Sequence, residues 1–204
     1  MQHFYLEPFW KRYGKEDYKF TDFAKALERL PPLSSSGPWV AGGSVRRLVM
    51  DLPQDSDYDI FFANADQLNN FKLDLESRGA KKVSENEFNT TYRLPAADKL
   101  PELKIQLIHV SYNNSMESTI EKFDFSLCQC AFDGTVLTFG EYTLFDLGRK
   151  KLVPGNITFG TSSLRRMIKY IKQGYSICGG GLATFLQQIA DDPKKIHATI
   201  KYID

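Results

Sequence analysis

The segment that most constrains this chain is a glycine pair followed by two aspartates, within WVAGGSVRRLVMDLPQDSDYDIFF at residues 39–62. The apolar run before Gly42 and Gly43 predicts a strand, the residues after them a short helix, and the residues from Asp57 onward another strand. Because side chains two apart on a strand point to one face, Asp57 and Asp59 project together. Two adjacent carboxylates repel each other unless a cation lies between them. The segment therefore predicts a site for a metal-bound triphosphate.

The residues of the glycine turn are suited to phosphate binding. Gly42 and Gly43 lack a Cβ, so the backbone can approach a triphosphate closely. Ser44 can donate its hydroxyl, and the guanidinium of Arg46 can reach phosphate oxygens. A glycine turn that leads into a helix also presents free N–H groups to an anion. An ordinary strand–turn–helix is the alternative interpretation of the same residues.

The acidic residues allow a second interpretation as well. Asp55 has the same strand parity as Asp57 and Asp59, so it could join the pair or replace one member. The run DLPQDSD is also typical of a solvated loop, which would need no metal. The metal site and the acidic turn remain the two alternatives from spacing alone.

Composition limits the class of protein. A chain of 204 residues with 42% hydrophobic residues can bury one core, with room for a helical appendix. No apolar run approaches the ~18–20 residues of a membrane span, and the N-terminus does not resemble a signal peptide. The net charge of +1 creates no global attraction for nucleic acid. We expect a cytoplasmic protein that does not bind membranes and whose cysteines are reduced.

The hydrophobic pattern predicts alternating strands and helices, followed by helices alone. From residue 141 onward the pattern is helical, with one apolar stripe formed by Leu164, Ile168, Ile171 and Tyr175. This order indicates a mixed sheet with flanking helices and a helical C-terminal part. The predicted helices lie at 21–30, 44–50, 65–77 and 116–123, and the predicted strands at 38–41, 57–63, within 81–94 (two strands), at 103–110, 125–132 and 136–139.

Three segments resemble one superfamily. GGSVRRLVMDLPQDSDYDIF resembles the signature of the polymerase-β-like nucleotidyltransferases, above all the tRNA CCA-adding and bacterial poly(A) polymerase group, whose pattern is roughly GGxVRD, a short spacer and DxD. KFDFSLCQCA at residues 122–131 resembles the RRDFTINA segment of that group. DLGRKKLV, followed by LRRMIKYIKQGY at residues 164–175, resembles its DLxxKxLR … LRxxRFxxxxGF segment. The order is the same, and the resemblance covers roughly residues 38–175.

The resemblance implies an α+β fold of the nucleotidyltransferase type, with a mixed sheet, flanking helices and a helical C-terminal neck. Residues 1–140 would form the catalytic head, including an N-terminal helical segment, and residues 141–204 the neck. It also implies a metal-dependent enzyme that transfers a nucleoside monophosphate from an NTP to an acceptor. Asp57 and Asp59 would be the catalytic and metal-binding residues, holding Mg²⁺, with two ions when the NTP is bound.

The resemblance also implies residues that bind the nucleotide. Gly42, Gly43 and Arg46 match the glycines and arginine of the family, and Ser44 lies between them. Asp124 matches an aspartate near the ribose. On the neck, Arg166 and Lys169 match basic residues that contact the base and triphosphate, although a solvated basic face is the alternative.

Some residues depart from the pattern of the family. Arg47 lies where an aspartate is usual, and Gln106, in the strand KIQLIHV, lies where an acidic residue is usual. An amide is a weaker Mg²⁺ ligand than a carboxylate, so the third acidic position is missing or filled by another residue. An acidic pair before the neck helix, which selects the base, is replaced by Thr161, Ser162 and Ser163.

The acceptor remains open. The enzymes that the chain resembles act on RNA 3′ ends and carry a long helical body, whereas this chain ends soon after the neck. We therefore expect an RNA 3′ end, a smaller acceptor or a protein as the acceptor, or a partner that supplies RNA binding. Two other functions compete: a catalytically weakened nucleotide-binding module, and a partner of this fold in a regulatory or toxin–antitoxin-like pair.

Overall fold

The computed structural model describes residues 1–13, 20–97 and 100–196. The predicted neck extends to residue 204, so its last eight residues lie outside the described part. The strands are β1 Gln2–Tyr5, β2 Trp39–Ala41, β3 Tyr58–Phe61, β4 Lys81–Glu85, β5 Asn89–Leu94, β6 Leu103–Ile108, β7 Cys130–Phe132 and β8 Val136–Phe139.

Some of the helices begin after a residue whose side chain satisfies a free backbone N–H group. Asn64 accepts a hydrogen bond from the backbone of Gln67, and Ser115 and Ser118 form a capping box. The helices are α1 Leu6–Tyr13, α2 Phe20–Glu28, α3 Gly43–Val49, α4 Ala65–Ser77, α5 Met116–Ile120, α6 Thr143–Gly148, α7 Gly160–Lys172 and α8 Gly179–Asp191. No helix in these residues is long and apolar enough to cross a membrane.

All eight strands belong to one mixed sheet, in the order β1-β8-β7-β2-β3-β6-β5-β4. β3 pairs with β6 in parallel, and every other neighbouring pair of this described sheet is antiparallel. The predicted α+β class with a mixed sheet and flanking helices is therefore confirmed. β1, which pairs with β8 at one edge, was not predicted from the polar and aromatic N-terminal residues.

Two clusters of buried apolar side chains pack the helices against the sheet and the neck against its end. The larger cluster packs the sheet against α2, α3 and α4, with Phe23, Leu48 and Phe71 among its members. The smaller cluster joins Phe125 to residues of α7 and α8, including Phe185, whose ring stacks on that of Phe125 at 6.5 Å. Burial of these aromatic side chains fixes α7 beside the end of the sheet.

The predicted strand over residues 125–132 is only partly correct. Residues Ser126–Cys128 form a 3₁₀ turn, and the strand begins at Cys130. The hydroxyl of Ser126 donates to the carboxylate of Asp146, while the hydroxyl of Thr143 donates to the carbonyl of Ser126. These bonds to α6 take the backbone out of the sheet, which short-range sequence periodicity does not reveal.

Of the predicted apolar stripe, Tyr175 is buried, but the three residues that lie on α7 do not face the core. Leu164, Ile168 and Ile171 are each 45–47% exposed, whereas Met167 and Tyr170 are buried. α7 therefore turns Met167 and Tyr170 toward the core, and not the side that carries Leu164, Ile168 and Ile171. Tyr170 is buried because its ring packs edge-on against the ring of Phe125, with centroids 6.0 Å apart.

Candidate nucleotide site

The glycine turn has the backbone geometry that its sequence predicts. Gly42 follows β2 with φ of 81° and ψ of −125°, a conformation that L side chains rarely adopt. A Cβ on Gly43 would lie only 2.5 Å from the hydroxyl oxygen of Ser56. Both glycines line a cavity of about 560 Å³ between the sheet and α7. The turn therefore exposes backbone to the cavity without a side chain in between.

The two aspartates lie beside this turn in different environments. Asp59, on β3, lines the cavity, and its Oδ2 lies 3.9 Å from the position that a Cβ on Gly42 would take. Asp57 lies just before β3, and its Oδ2 accepts hydrogen bonds of 2.7 Å from Lys104 and from Gln106. No described residue donates a hydrogen bond to the carboxylate of Asp59. The two aspartates are therefore alike in sequence, but only the carboxylate of Asp57 accepts hydrogen bonds from neighbouring side chains.

Gln106, at the position where the family that the sequence resembles usually has an acidic residue, lies beside the two aspartates. In the parallel pair of β3 and β6, Gln106 is aligned with Asp59, and it also lines the cavity. Asp55, in contrast, forms an ion pair with Arg47 and its side chain is 67% exposed. The possibility that Asp55 joins the carboxylate pair is therefore wrong, because its carboxylate is bound outside the cavity.

The electrostatic state of Asp59 reflects its surroundings. Burial and the neighbouring charge of Asp57 raise the pKa of Asp59 to about 7, against the opposing effect of Lys104, Arg166 and Lys169. The carboxylate form thus lacks compensation from hydrogen-bond donors. A cation at this position would supply that compensation.

The residues fit a divalent ion of the Mg²⁺ type. Carboxylate oxygens are its preferred protein ligands, and one or two of them suffice when water and phosphate supply the rest. In the described ranges, no group of three or more His, Cys, Asp and Glu side chains could hold a metal. Asp57 and Asp59 thus suit an ion that arrives with a phosphate ligand.

The rest of the cavity combines aromatic and polar side chains. Phe61 and Phe123 form an apolar wall, with ring centroids 5.6 Å apart. Facing groups include Asn113 and Lys122, whose side chains hydrogen-bond to each other. Such a mixture of flat apolar surface and fixed polar groups suits an aromatic base with polar edges.

Two of the predicted nucleotide-binding residues form an ion pair in the cavity wall. The carboxylate of Asp124 is largely buried, and it accepts a hydrogen bond from the guanidinium of Arg166 on α7. Both line the cavity. Lys169 does not line it, but its charge acts on the carboxylate of Asp59. The structure therefore brings Asp124 and Arg166 together across the head and the neck.

Arg46 does not lie where the sequence predicted. Its side chain is buried, and its guanidinium carbon lies 5.1 Å from the ring centroid of Tyr170 and 5.8 Å from that of Tyr175. It donates hydrogen bonds to the hydroxyl of Tyr175 and to Gln173. Arg46 thus faces the aromatic residues of the neck and not the cavity, and its contact with phosphate stays a prediction.

Ser44 is also buried. Its hydroxyl has no hydrogen-bond partner among the described residues, and the side chain does not line the cavity. A buried hydroxyl without a partner is unfavourable by about 1–3 kcal/mol. Of the predicted glycine-turn residues, only Gly42 and Gly43 face the cavity directly.

Two features of the site were missed by sequence reasoning. Lys104 is two residues before Gln106 on β6, so strand parity alone could have placed it on the same face. The pairing of Asn113 with Lys122 joins residues from a loop and from the end of α5, for which no local sequence signal exists.

A family comparison identifies the chain more directly. Residues 4–150 match the family described as Gad2: Gabija anti-defense 2 family protein. The chain belongs to the Gabija anti-defense 2 family. No curated protein matches the chain.

Solved structures with a similar fold include CCA-adding enzymes and a tRNA-processing enzyme. The CCA-adding enzyme of Thermotoga maritima, complexed with tRNA, is 18% identical with a TM-score of 0.60, over 94% of this chain and 47% of that one. A complex of a CCA-adding enzyme with CTP is 18% identical with a TM-score of 0.57, over 94% and 46%. A tRNA-processing enzyme with CTP is 17% identical with a TM-score of 0.52, over 82% and 45%.

These similarities confirm the nucleotidyltransferase fold that the sequence motifs indicated. The identities are low, so the similarity concerns the fold alone. This member of the Gad2 family spans about half the length of the solved structures that it matches.

The surroundings of Asp59 predict a pH-dependent effect of Asp59→Asn. The pKa of Asp59 is raised to about 7 in the folded state, so its protonated form is favoured and the wild type loses stability as pH rises from about 4 through 7. The amide that replaces the carboxyl group in the variant does not ionise. Without metal, we expect the melting temperature of the variant to exceed that of the wild type at pH 8, and the difference to shrink toward pH 4.

Thermal denaturation in EDTA at several pH values would measure this difference. Asp55→Asn is the matched control, because Asp55 lies outside the cavity and its exposed ion pair contributes little. A difference between Asp59→Asn and the wild type that does not change with pH would contradict the raised pKa.

The contacts of Arg46 predict a structural effect of its removal. Arg46→Ala should lower the free energy of unfolding by about 2–3 kcal/mol, because it removes two cation–π contacts and leaves neighbouring polar groups unpaired. Urea denaturation measures this loss. Arg165→Ala, on the exposed face of α7, should change stability by no more than about 0.5 kcal/mol. Unchanged stability of Arg46→Ala, combined with weaker NTP binding, would restore the phosphate role.

Proposed function

We propose that this protein is a metal-dependent nucleotidyltransferase. The observation that carries the proposal is the position of Asp59, which faces a cavity of about 560 Å³ beside the exposed backbone of the glycine turn, without a hydrogen-bond donor of its own in the described chain. Asp57, two residues earlier, supplies the second carboxylate. The nucleotidyltransferase fold supports the proposal because it is the fold of the similar CCA-adding enzymes.

The reaction would transfer a nucleoside monophosphate. A hydroxyl oxygen of the acceptor attacks the α-phosphorus of an NTP and forms a new P–O bond. The bond from the α-phosphorus to the oxygen that bridges to the β-phosphate breaks, and pyrophosphate leaves with the electron pair. The hydroxyl proton passes to solvent. Mg²⁺ held by Asp57 and Asp59 would neutralise charge on the phosphate oxygens and orient the reacting groups.

Residues of the chain would position the nucleotide. The backbone at Gly42 and Gly43 would leave room for the triphosphate, and the Asp124–Arg166 pair would contact the sugar. The aromatic wall of Phe61 and Phe123 would support the base. Lys169, whose charge acts on the carboxylate of Asp59, would add positive charge near the phosphates. Arg46 would not contact the phosphates in this conformation, because it packs against Tyr170 and Tyr175 of the neck.

The acceptor proposed first is an RNA 3′ end. Similar solved structures contain tRNA, CTP or ATP, which supports nucleotide and RNA as the kinds of partner. A protein acceptor is the alternative. Membership of the anti-defense family supports a role of the transfer in opposing the Gabija system. The acceptor would then be a component on which that system depends.

One observation favours a second candidate function. Asp57 is already neutralised by Lys104 and hydrogen-bonded by Gln106, so this carboxylate is less available than the other to a metal. The protein would then be a nucleotide-binding module that captures an NTP without transferring it. Such a module would also suit a regulatory partner.

Labelled nucleotides separate the two functions. The protein is incubated with each α-³²P-labelled NTP and total RNA, in Mg²⁺ or in EDTA. Label is measured in RNA and in protein, and the unlabelled pyrophosphate that is released is measured with a pyrophosphatase-coupled phosphate assay. We expect Mg²⁺-dependent transfer that falls at least about a thousandfold in Asp57→Asn/Asp59→Asn, because electrostatic stabilisation of the transition state is lost.

Asp55→Asn is the matched control and should retain wild-type transfer. Transfer by the double variant at the wild-type rate would reject the site. NTP binding without transfer to any acceptor would favour the binding module, and the absence of both would reject the proposed function.

A further inference from the structure

A positively charged side chain, that of Lys104, contacts one of the two carboxylates, that of Asp57. Lys104 and Gln106 lie two apart on β6, and both contact Asp57 Oδ2 at 2.7 Å. The parallel register of β3 and β6, with Tyr58 beside Ile105 and Asp59 beside Gln106, holds these side chains alongside the pair. The register of the sheet therefore places Lys104 and Gln106 beside the carboxylate pair.

In the described residues, no third His, Cys, Asp or Glu side chain could complete a metal site with Asp57 and Asp59. Asp124 also lines the cavity, but its carboxylate is paired with Arg166. Glu102, directly before β6, forms a 3.0 Å ion pair with Arg93. Glu102 is four residues from Gln106, or about 13 Å along a strand. It cannot reach an ion held by Asp59.

Asp57 and Asp59 differ in the groups that surround their carboxylates. An ammonium and an amide NH₂ donate hydrogen bonds and offer no lone pair to a metal. The side of Asp57 that faces Lys104 and Gln106 thus presents donors, whereas Asp59 presents free carboxylate oxygens to the cavity. Mg²⁺ requires oxygen ligands in a near-octahedral arrangement. One ion can bind on the side of Asp59, but a second would have to displace the ammonium.

We infer that Lys104 serves as a fixed cation in place of a second metal ion, so that the site binds one divalent ion for each nucleotide. This inference rests on the proposed function and replaces the two ions expected from the sequence. Lys104 is a positioning residue here: it keeps Asp57 neutralised and in place, and Gln106 completes the hydrogen bonding of the same oxygen.

Counting bound ions tests the inference. Protein is dialysed to equilibrium against Mn²⁺ and an NTP analogue with a methylene group between the α- and β-phosphates, and bound Mn²⁺ and bound analogue are both measured. We expect a ratio of one Mn²⁺ to one analogue in the wild type. In Lys104→Met/Gln106→Glu, the ammonium is removed and a third carboxylate is added, so the ratio should rise to two.

Two controls isolate the role of Lys104. Gln106→Glu alone keeps the ammonium and should stay at a ratio of one. Lys82→Met removes a lysine that also pairs with a carboxylate, Glu85, but on a distant strand, and should also stay at one. A ratio of two in Gln106→Glu would show that Lys104 does not exclude the second ion, and would overturn the inference even where the double variant does not fold.

The outcomes separate the inference from the proposed function. A ratio of two in the wild type overturns the inference and leaves the nucleotidyltransferase proposal in place. A ratio of one in the folded double variant also overturns the role of Lys104. Failure of the wild type to bind either Mn²⁺ or the analogue rejects the proposed function itself.

Discussion

The parallel pairing of β3 with β6 is the constraint on which the site depends. It aligns Asp59 with Gln106, while the antiparallel pairing on the other side aligns Asp59 with Ala41, directly before the glycine turn. One carboxylate is thereby held between the exposed backbone of the turn and the polar face of β6. Because side chains alternate across a sheet, a slip of β3 by one residue would turn Asp59 to the face opposite Gln106.

The cavity also needs the neck, and its attachment relies on buried contacts between aromatic and charged residues. Tyr170 contributes to several of these at once: its ring packs against Phe125 and beneath Arg46, and its hydroxyl lies 2.9 Å from the sulfur of Cys128. Burial raises the pKa of the Cys128 thiol to about 11, so it stays neutral beside the cavity. Since Arg166 lies on the same helix as Tyr170, loss of this packing would also separate Arg166 from Asp124.

Local patterns predicted much of this structure, and long-range partners explain what they missed. The helix at 65–77 has the predicted bounds because its cap and its apolar spacing lie within the segment itself. The glycine turn and the carboxylate pair were likewise contained in one short segment. The orientation of Arg46 depended on Tyr175, 129 residues away, and the buried face of α7 depended on Phe125. Neither partner can be identified from spacing.

Asp57 and Asp59 look equivalent in sequence, but the charged groups around their carboxylates differ. Asp57 is balanced by Lys104 before any ligand arrives, so the folded protein tolerates two carboxylates side by side. Asp59 has no such partner in the described chain, and its raised pKa expresses the same imbalance. A cation therefore gains more from Asp59 than from Asp57. In the proposed function, Asp57 and Lys104 would together support one side of the site, and Asp59 would be the residue that binds the metal of the incoming nucleotide.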